Sequence, residues 1–298
     1  MNIMNDKNRD ISLVLSSGGA RGMAHIGVIE ELEKLGYHIR SVSGTSVGAL
    51  IGGLYASGHL QEFKEWVANL DKMDVFHLID LTISTQGFIK GEKVFTELNH
   101  IIGNCNIEDL NINFSAIAAD ITNKKEVVFR SGGLLNAIRA SAAMPTILKP
   151  VIYKDCLLVD GAIVNPLPID AVSRTENDIL VAVNLNANIP YEKPVVKIPP
   201  PKTRRYLDKE KLKFLRDRES VFSLRKYNTN KIGYYNIIVR SLNMLEDKLT
   251  DITIEQYKPD ILVNISRNAA ETFDFHRSSE IIEAGRMAFR SAYSYFIS

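Results

Sequence analysis

The chain has 298 residues, of which 45% are hydrophobic and 24% charged, and its formal net charge at pH 7 is +1. This is the composition of a globular protein with a sizeable core, and it excludes a dedicated nucleic-acid-binding protein, which would be clearly basic. No apolar run reaches the about 18 residues of a membrane span, and residues 1–10 form a polar tail without a signal sequence. We therefore expect a cytosolic protein with one domain over residues 11–298.

In chain order, the first predicted element is a buried strand over residues 11–15, which leads into a glycine-rich loop over residues 16–22. A helix with one apolar face follows and ends at Gly36, and residues 38–43 predict a second strand. This βαβ pattern predicts two parallel, neighbouring strands whose carboxyl-end loops lie side by side.

The second strand leads into a G-x-S-x-G sequence centred on Ser46, and a helix of small residues is predicted over residues 47–56. A serine between a strand and a helix lies on a tight, strained turn that exposes its hydroxyl near the free N–H groups of the new helix. We interpret Ser46 as a nucleophile. A glycine-serine turn without chemistry is the alternative.

The glycine-rich loop has three interpretations. A dinucleotide-binding G-x-G-x-x-G fingerprint would need glycine in place of Ser17, and an acidic residue at the end of the second strand, where Ser41 and Ser43 stand. The second interpretation is a tight strand-to-helix turn without a ligand. The predicted position of the loop beside Ser46 favours the third, an oxyanion hole formed by backbone N–H groups.

The rest of the chain alternates between helices and strands. Helices are predicted over residues 60–70, 92–102, a run through 140–145, and 278–296, and strands over residues 113–120, 127–129, 157–159, 179–185 and 261–265. This alternation predicts an α/β fold of three layers, α/β/α, with a mainly parallel central sheet. A further helical stripe is interpreted as core packing: Ile238, Leu242, Leu245, Leu249 and Ile252.

The composition shifts over residues 190–231. Five of the ten prolines lie in residues 190–201, and the whole segment carries 13 Lys and Arg against 5 Asp and Glu. One interpretation is a solvated surface excursion. The other is a basic amphipathic flap that covers the site or contacts anionic lipid head groups, which would place the protein peripherally at a membrane. We expect residues 232–298 to complete the domain.

Few side chains are candidates for the base that a serine nucleophile requires. Ser46, Asp160 and His276 follow the chain order of an α/β-hydrolase triad, but only one helix and one strand fit between Gly22 and Ser46, which is too few for that fold. His276 lies in a polar stretch that is typical of a helix start. Cys105 and Cys156 have no C-x-x-C or histidine partner, so we expect buried thiols, no structural metal and no cofactor.

Four blocks together resemble the motifs of patatin-like phospholipases, in the order found in that family: residues 17–22, 44–48, 140–145 and 160–162. The resemblance covers about residues 10–185. It implies a Ser–Asp dyad without histidine, in which Ser46 is the nucleophile and Asp160 the base. It also implies that backbone N–H groups around Gly18, Gly19 and Ala20, with Arg21 nearby, stabilise the oxyanion.

The resemblance further implies hydrolysis of fatty-acyl esters, with a phospholipid, a lysophospholipid or another lipid as substrate. Two departures from the family pattern are Ser17, where glycine is frequent, and Ala162, which gives Asp-Gly-Ala in place of Asp-Gly-Gly. Asp120 is a rival base, because it also ends an apolar strand, but it heads a polar turn in which Asp is expected anyway. A non-catalytic lipid-binding or scaffold protein and a nucleotide-binding α/β module remain the alternative functions.

Overall fold

In the computed structural model, the described residues are 9–78, 91–145, 147–196 and 234–298. Their strands are β1 (Asp10–Leu15), β2 (His38–Thr45), β3 (Asn113–Asp120), β4 (Lys125–Phe129), β5 (Val151–Tyr153), β6 (Cys156–Asp160), β7 (Ile179–Ala187) and β8 (Ile261–Ser266). Their helices are α1 (Met23–Lys34), α2 (Val47–Ala56), α3 (Leu60–Ala68), α4 (Lys72–Leu78), α5 (Glu92–Ile102), α6 (Leu134–Ser141), α7 (Tyr234–Tyr257) and α8 (Ser278–Phe296).

The strands form one mixed sheet whose hydrogen-bonded neighbours follow the order β5-β6-β3-β2-β1-β7-β8, while β4 pairs with β3. The pairs β1–β2, β1–β7, β2–β3 and β7–β8 are parallel. The pairs of β4, β5 and β6 are antiparallel. The prediction of a three-layer α/β fold with a mainly parallel sheet is confirmed, with an antiparallel extension at one side.

The alternation of side chains along β1 separates two cores on opposite faces of the sheet. Leu13 and Leu15 point into a large core that α1, α2, α5, α6 and α8 cover. Val14 points to the other face, where it packs with Leu180 of β7, residues of the 167–172 segment and Ile254 of α7. Helices therefore lie on both faces, but most of them cover the same one.

Strand β3 holds two other strands on the same edge, and this positions the site. At residues 116–117 it pairs with both β2 and β4, and at residues 118–120 with both β4 and β6. Because a strand has only two edges, β2 and β6 must share one of them. The end of β2, opposite Ile117, therefore meets the end of β6, opposite Ala118, from the other direction.

Two predictions about side-chain burial were wrong. In the stripe on α7, Leu245 and Ile252 are 52% and 57% exposed, because the helix packs on the sheet through a neighbouring face that carries Ile254. Cys105 and Cys156 are half-buried rather than buried. No helix in the described part of the chain is long and apolar enough to cross a membrane. Most of the predicted flap, residues 197–231, and the tail residues 1–8 lie outside the described residues.

Candidate active site

Ser46 lies where β2 ends and α2 begins, on a strained turn with φ 58° and ψ −121°. This left-handed region is unfavourable for a non-glycine residue, so the surrounding packing must impose it. A Cβ on Gly48 would lie 2.1 Å from the carbonyl oxygen of Leu15, so the turn presses directly on the backbone of β1. The N–H of Ser46 donates to Oγ of buried Ser141 at 2.9 Å, which fixes the turn from the other side.

Asp160 ends β6 and contacts Ser46 directly. Oγ of Ser46 donates to Oδ2 of Asp160 at 2.6 Å, and the N–H of Ala162 donates to Oδ1 at 2.9 Å. A Cβ on Gly161 would lie 2.4 Å from the carbonyl oxygen of Ile117, so glycine is needed here for close approach to β3. The structure thus brings the predicted nucleophile and the predicted base together, 114 positions apart in the chain.

The environment of this carboxyl group favours its neutral form. Burial raises the pKa of Asp160 to about 6, although the hydrogen bonds from Ser46 and from the N–H of Ala162 act in the opposite direction. A second carboxyl group, that of Glu246 on α7, faces the same region. Burial, and after it the charge of Asp160, raises the pKa of Glu246 to about 7, while the charge of Arg21 lowers it. Asp160 therefore carries a proton affinity suited to proton transfer near neutral pH.

The predicted oxyanion loop lies beside Ser46, and its donors differ in availability. Gly19 has φ +57° and borders the same cavity as Ser46. Among the described residues, the N–H groups of Gly18 and Gly19 have no hydrogen-bond acceptor, whereas the N–H of Ala20 donates to the carbonyl of Thr272 at 2.9 Å. The guanidinium of Arg21 donates to the carbonyls of Gly18 and Arg267. The free donors are thus at the first two positions of the predicted set.

The histidine of the alternative triad is directed elsewhere. The charged groups that act on His276 are Asp274, Lys72, Arg277 and Asp71, and burial lowers its pKa. Its Nδ1 is buried without a hydrogen-bond partner among the described residues. These neighbours belong to α4 and to the segments that flank α4 and α8, and Asp160 is not among them. The described part of the site therefore lacks the contact that a triad needs.

The rival carboxylate, Asp120, is also occupied locally. It accepts hydrogen bonds from the N–H groups of Thr122 and Asn123 at 3.0 and 3.1 Å. The side chain of Asn123 is the main reason that the pKa of Asp120 is lowered. This is the turn chemistry expected for Asp at that position. Among the described residues, no group of three or more His, Cys, Asp or Glu side chains could hold a metal ion.

An apolar cavity of about 160 Å³ opens beside the Ser46 hydroxyl. Its walls come from three helices, the segment before β5 and the loop before α8. They include Val47, Leu50, Val94, Phe95, Leu98, Ile138, Met144, Ile147, Leu148, Thr272, Phe273 and Phe275. Leu98 and Ile138 are each 1% exposed and form its most deeply buried walls. The chemistry available at this position is therefore a buried hydroxyl–carboxyl pair facing an apolar space.

Comparison with known families now adds to this geometry. The sequence model of the patatin-like phospholipases matches residues 13–173, which is more than half of the chain. The chain belongs to the patatin-like phospholipase family. The matched region contains the Ser46–Asp160 pair, the glycine-rich loop and the Ala140–Pro145 block in their family order, and it ends before β7.

Relatives of this patatin-like protein include an uncharacterized NTE family protein of Mycobacterium bovis. The two are 29% identical over 326 residues, which cover 93% of this chain and 89% of that protein. Lysophospholipase NTE1 of Scheffersomyces stipitis is 31% identical over 188 residues, covering 60% of this chain but 12% of that protein. The crystal structure of VipD from Legionella pneumophila aligns with 95% of this chain and 67% of that chain at 13% identity and a TM-score of 0.45, a likeness too weak to indicate function.

Three residues of the patatin-like site were not singled out by sequence reasoning. Ser141 lies inside a recognised block, but nothing in the pattern indicates that it accepts the N–H of Ser46. Glu246 and Thr272 lie outside the family match, and only the packing of distant segments brings them to the site. Their sequence surroundings are ordinary, so no local signal could have found them.

Proposed function

We propose that this protein is a serine acyl hydrolase that cleaves fatty-acyl ester bonds of phospholipids, lysophospholipids or related lipids. The observation that carries the proposal is the 2.6 Å hydrogen bond from Ser46 to Asp160 at the edge of an apolar cavity. Membership in the patatin-like phospholipase family supports a lipid substrate, and so does the similarity to proteins described as lysophospholipases.

In the proposed reaction, Asp160 takes the proton of the Ser46 hydroxyl while Oγ bonds to the carbonyl carbon of the ester. The electron pair of the carbonyl moves to oxygen, and this oxyanion accepts hydrogen bonds from the N–H groups of Gly18 and Gly19. Ala20 would join them only if its bond to Thr272 broke, and Arg21 holds the loop in shape. Asp160 then protonates the leaving alcohol as the C–O bond breaks, which leaves the acyl group on Ser46.

Water completes the proposed cycle. It adds to the acyl-enzyme carbonyl while Asp160 accepts its proton, and the proton returns to Oγ of Ser46 as the fatty acid leaves. A carboxylate is a weak base towards serine, so the oxyanion donors must supply much of the rate. Removal of one such donor typically raises the barrier by about 3 kcal/mol. The apolar cavity would hold the acyl chain beside the reacting carbonyl.

Substitution of the pair tests the proposal. Ser46→Ala and Asp160→Asn should each abolish turnover of a p-nitrophenyl acyl ester, while the circular dichroism spectrum stays unchanged. His276→Ala should have almost no effect, since no contact connects it with Asp160. Unchanged turnover in Ser46→Ala would refute the nucleophile, and loss of turnover in His276→Ala as well as in the other two variants would favour the triad.

Labelling with a long-chain fluorophosphonate separates the enzyme from a non-catalytic lipid-binding or scaffold protein. The reagent should attach covalently to Ser46, as located by mass spectrometry, because only an activated hydroxyl attacks its phosphorus. A chain that binds lipid but is not labelled would be a binding protein. A thermal shift with dinucleotides and none with the fluorophosphonate would instead favour a nucleotide-binding module.

A further inference from the structure

Two turns lie together beyond the carboxyl ends of β2 and β3, at the same end of the sheet as Ser46. We name residues 121–125, after β3, and residues 152–157, around the β5–β6 turn, the lip. The N–H of Ile121 donates to the carbonyl of Leu157 at 3.0 Å, and the N–H of Leu157 donates to Oγ1 of Thr122 at 3.0 Å. The side-chain amide of Asn123 donates to Sγ of Cys156 at 3.2 Å. These hydrogen bonds hold the two turns of the lip together as one surface.

The lip exposes large apolar side chains without a partner in the described chain. Ile152 is 77% exposed and Ile121 is 46% exposed. Ile152 lies directly opposite Leu157 across the β5–β6 pair, and Ile121 follows Asp120, which lies opposite Leu158. The alternation of strand residues therefore places Ile121, Ile152 and Leu157 on the same face of the sheet. Lysine and other polar residues usually protect edge strands from pairing with another chain. An exposed isoleucine on β5 gives no such protection, so its exposure needs another explanation.

Three lysines lie in the lip together with this apolar group. Lys124 lies in the first turn, Lys125 begins β4, and Lys154 lies in the second turn, with its Nζ 5.2 Å from the centre of the Tyr153 ring. The opposing exposed carboxylate in the two turns is Asp155, since Asp120 is 2% exposed and bonded within its own turn. An apolar group together with lysines matches the boundary between anionic head groups and acyl chains.

The position of the lip connects it to the site. The cavity-lining residues Ile147 and Leu148 run through Lys149 and Pro150 directly into β5. On the other side, β6 leads from Cys156 to Asp160 within one strand. A surface that held the lip would therefore hold one wall of the cavity and the carboxyl group of the pair.

We propose that the lip is the surface through which this protein contacts an anionic phospholipid bilayer. Ile121 and Ile152 enter the head-group boundary, and Lys124, Lys125 and Lys154 lie on the lipid phosphates. This inference rests on the proposed function for the lipid nature of the substrate, but binding itself requires no turnover. It is also independent of the predicted flap over residues 190–231.

The test is partition of the full chain onto vesicles, measured by co-sedimentation. Vesicles of phosphatidylcholine alone are compared with vesicles that also contain phosphatidylglycerol. Ile152→Ser should lower the partition coefficient about tenfold on the mixed vesicles, as loss of one buried isoleucine predicts. Lys124→Ser and Lys154→Ser should each lower it about fivefold, on the mixed vesicles only, with an effect that shrinks as salt is added.

Matched controls come from the opposite end of the sheet, where β2 begins. Tyr295, 80% exposed, lies near the end of α8, where Tyr293 contacts Tyr37 just before β2. Lys34, at the end of α1, is also well exposed. Tyr295→Ser and Lys34→Ser should bind vesicles like the unchanged chain. All variants should keep the circular dichroism spectrum and the thermal midpoint of the unchanged chain, which reports that they are folded whether or not the chain hydrolyses an ester.

The outcomes separate this inference from the proposed function. Loss of binding in the lip variants supports the lip even if the chain hydrolyses nothing, and Ser46→Ala should bind normally. Equal binding by the lip variants and the unchanged chain would overturn the proposal, as would an equal loss in the two controls. A change of molecular mass by Ile152→Ser in gel filtration, with vesicle binding unaffected, would assign the surface to a second copy instead and also overturn it.

Discussion

In the proposed reaction, the ionisation of Asp160 controls whether Ser46 can lose its proton. Since burial raises the pKa of this carboxyl group to about 6, a large fraction is protonated just below neutral pH, and the protonated form cannot accept a proton. We therefore expect kcat/KM to rise about tenfold per pH unit below pH 6 and to level off above it. A pH–rate profile with a soluble acyl ester measures this. A profile that is flat between about pH 4 and pH 7 would contradict the role of Asp160 as base.

The same carboxyl group should reduce stability when it is ionised. Its pKa is about 6 in the folded chain, against 3.8 for an aspartate exposed to water, so the cost is absent below about pH 4, grows between about pH 4 and pH 6, and is constant above that range. A shift of about two units corresponds to about 3 kcal/mol. Asp160→Asn should then raise the free energy of unfolding by about 1–3 kcal/mol near pH 8 and leave it unchanged near pH 4, as measured by urea denaturation. Equal effects at both pH values would show that the buried charge has no cost.

At the scale of elements, the turn that carries Ser46 depends on contact between two backbones. A Cβ on Gly48 would lie 2.1 Å from the carbonyl oxygen of Leu15, which belongs to a central strand and cannot move away. Gly48→Ala should lower the free energy of unfolding by about 3 kcal/mol or more and prevent fluorophosphonate labelling. Thermal denaturation and labelling measure the two effects.

The control for this change is Gly133→Ala. Gly133 has φ −59°, and the nearest atom to its hypothetical Cβ is the flexible side-chain amide of Asn136 at 3.0 Å. This variant should be within about 1 kcal/mol of the unchanged chain. If both variants lost equal stability, the close contact with β1 would not be the reason for glycine at position 48.

How much could be predicted from the sequence depends on how local each element is. The unit from β1 to α2 has clear hydrophobic periods, glycine signals and short connections, and all of its elements were predicted. Strand β5 was missed because its three residues are too few to show a periodic pattern. The contact between Ser46 and Asp160 was inferred from family resemblance, since antiparallel pairing of β6 with β3 leaves no local signal.

The partly exposed stripe on α7 and the hydrogen bond of Ala20 show the same limit. Helical spacing of apolar residues predicts an apolar face, but which face meets the sheet depends on the segments that pack there. Ile254, not Ile252, packs on the second core. Likewise, Thr272 lies about 250 positions from Ala20, and only the whole fold makes its carbonyl the acceptor of that N–H.

At the scale of the whole molecule, the two ends of the described chain are joined through crossing helices. A Cβ on Gly27 of α1 would lie 2.0 Å from the carbonyl oxygen of Ile282, and one on Gly285 of α8 would lie 2.1 Å from that of Ala24. Strand β8 also extends the sheet beyond β7. Although the family match ends at residue 173, we propose that residues 11–298 fold as one domain.

Gly285→Ala tests this unity. The new methyl group would separate α8 from α1, so the midpoint of thermal unfolding should fall by several degrees, with Trp66 fluorescence and circular dichroism still following one transition. Met287→Ala on the same helix, where the side chain is 40% exposed, should change the midpoint little. Two separate transitions in the unchanged chain would instead indicate that the C-terminal part folds on its own.

The shared edge of β3 fixes the spacing of hydroxyl and carboxylate by main-chain pairing rather than by loops. Insertions or exchanges in the connecting segments would thus alter which molecules reach the pair without disturbing the pair itself. A scaffold of this kind is open to diversification: descendants of one ancestor can acquire new preferences around an unchanged reaction centre.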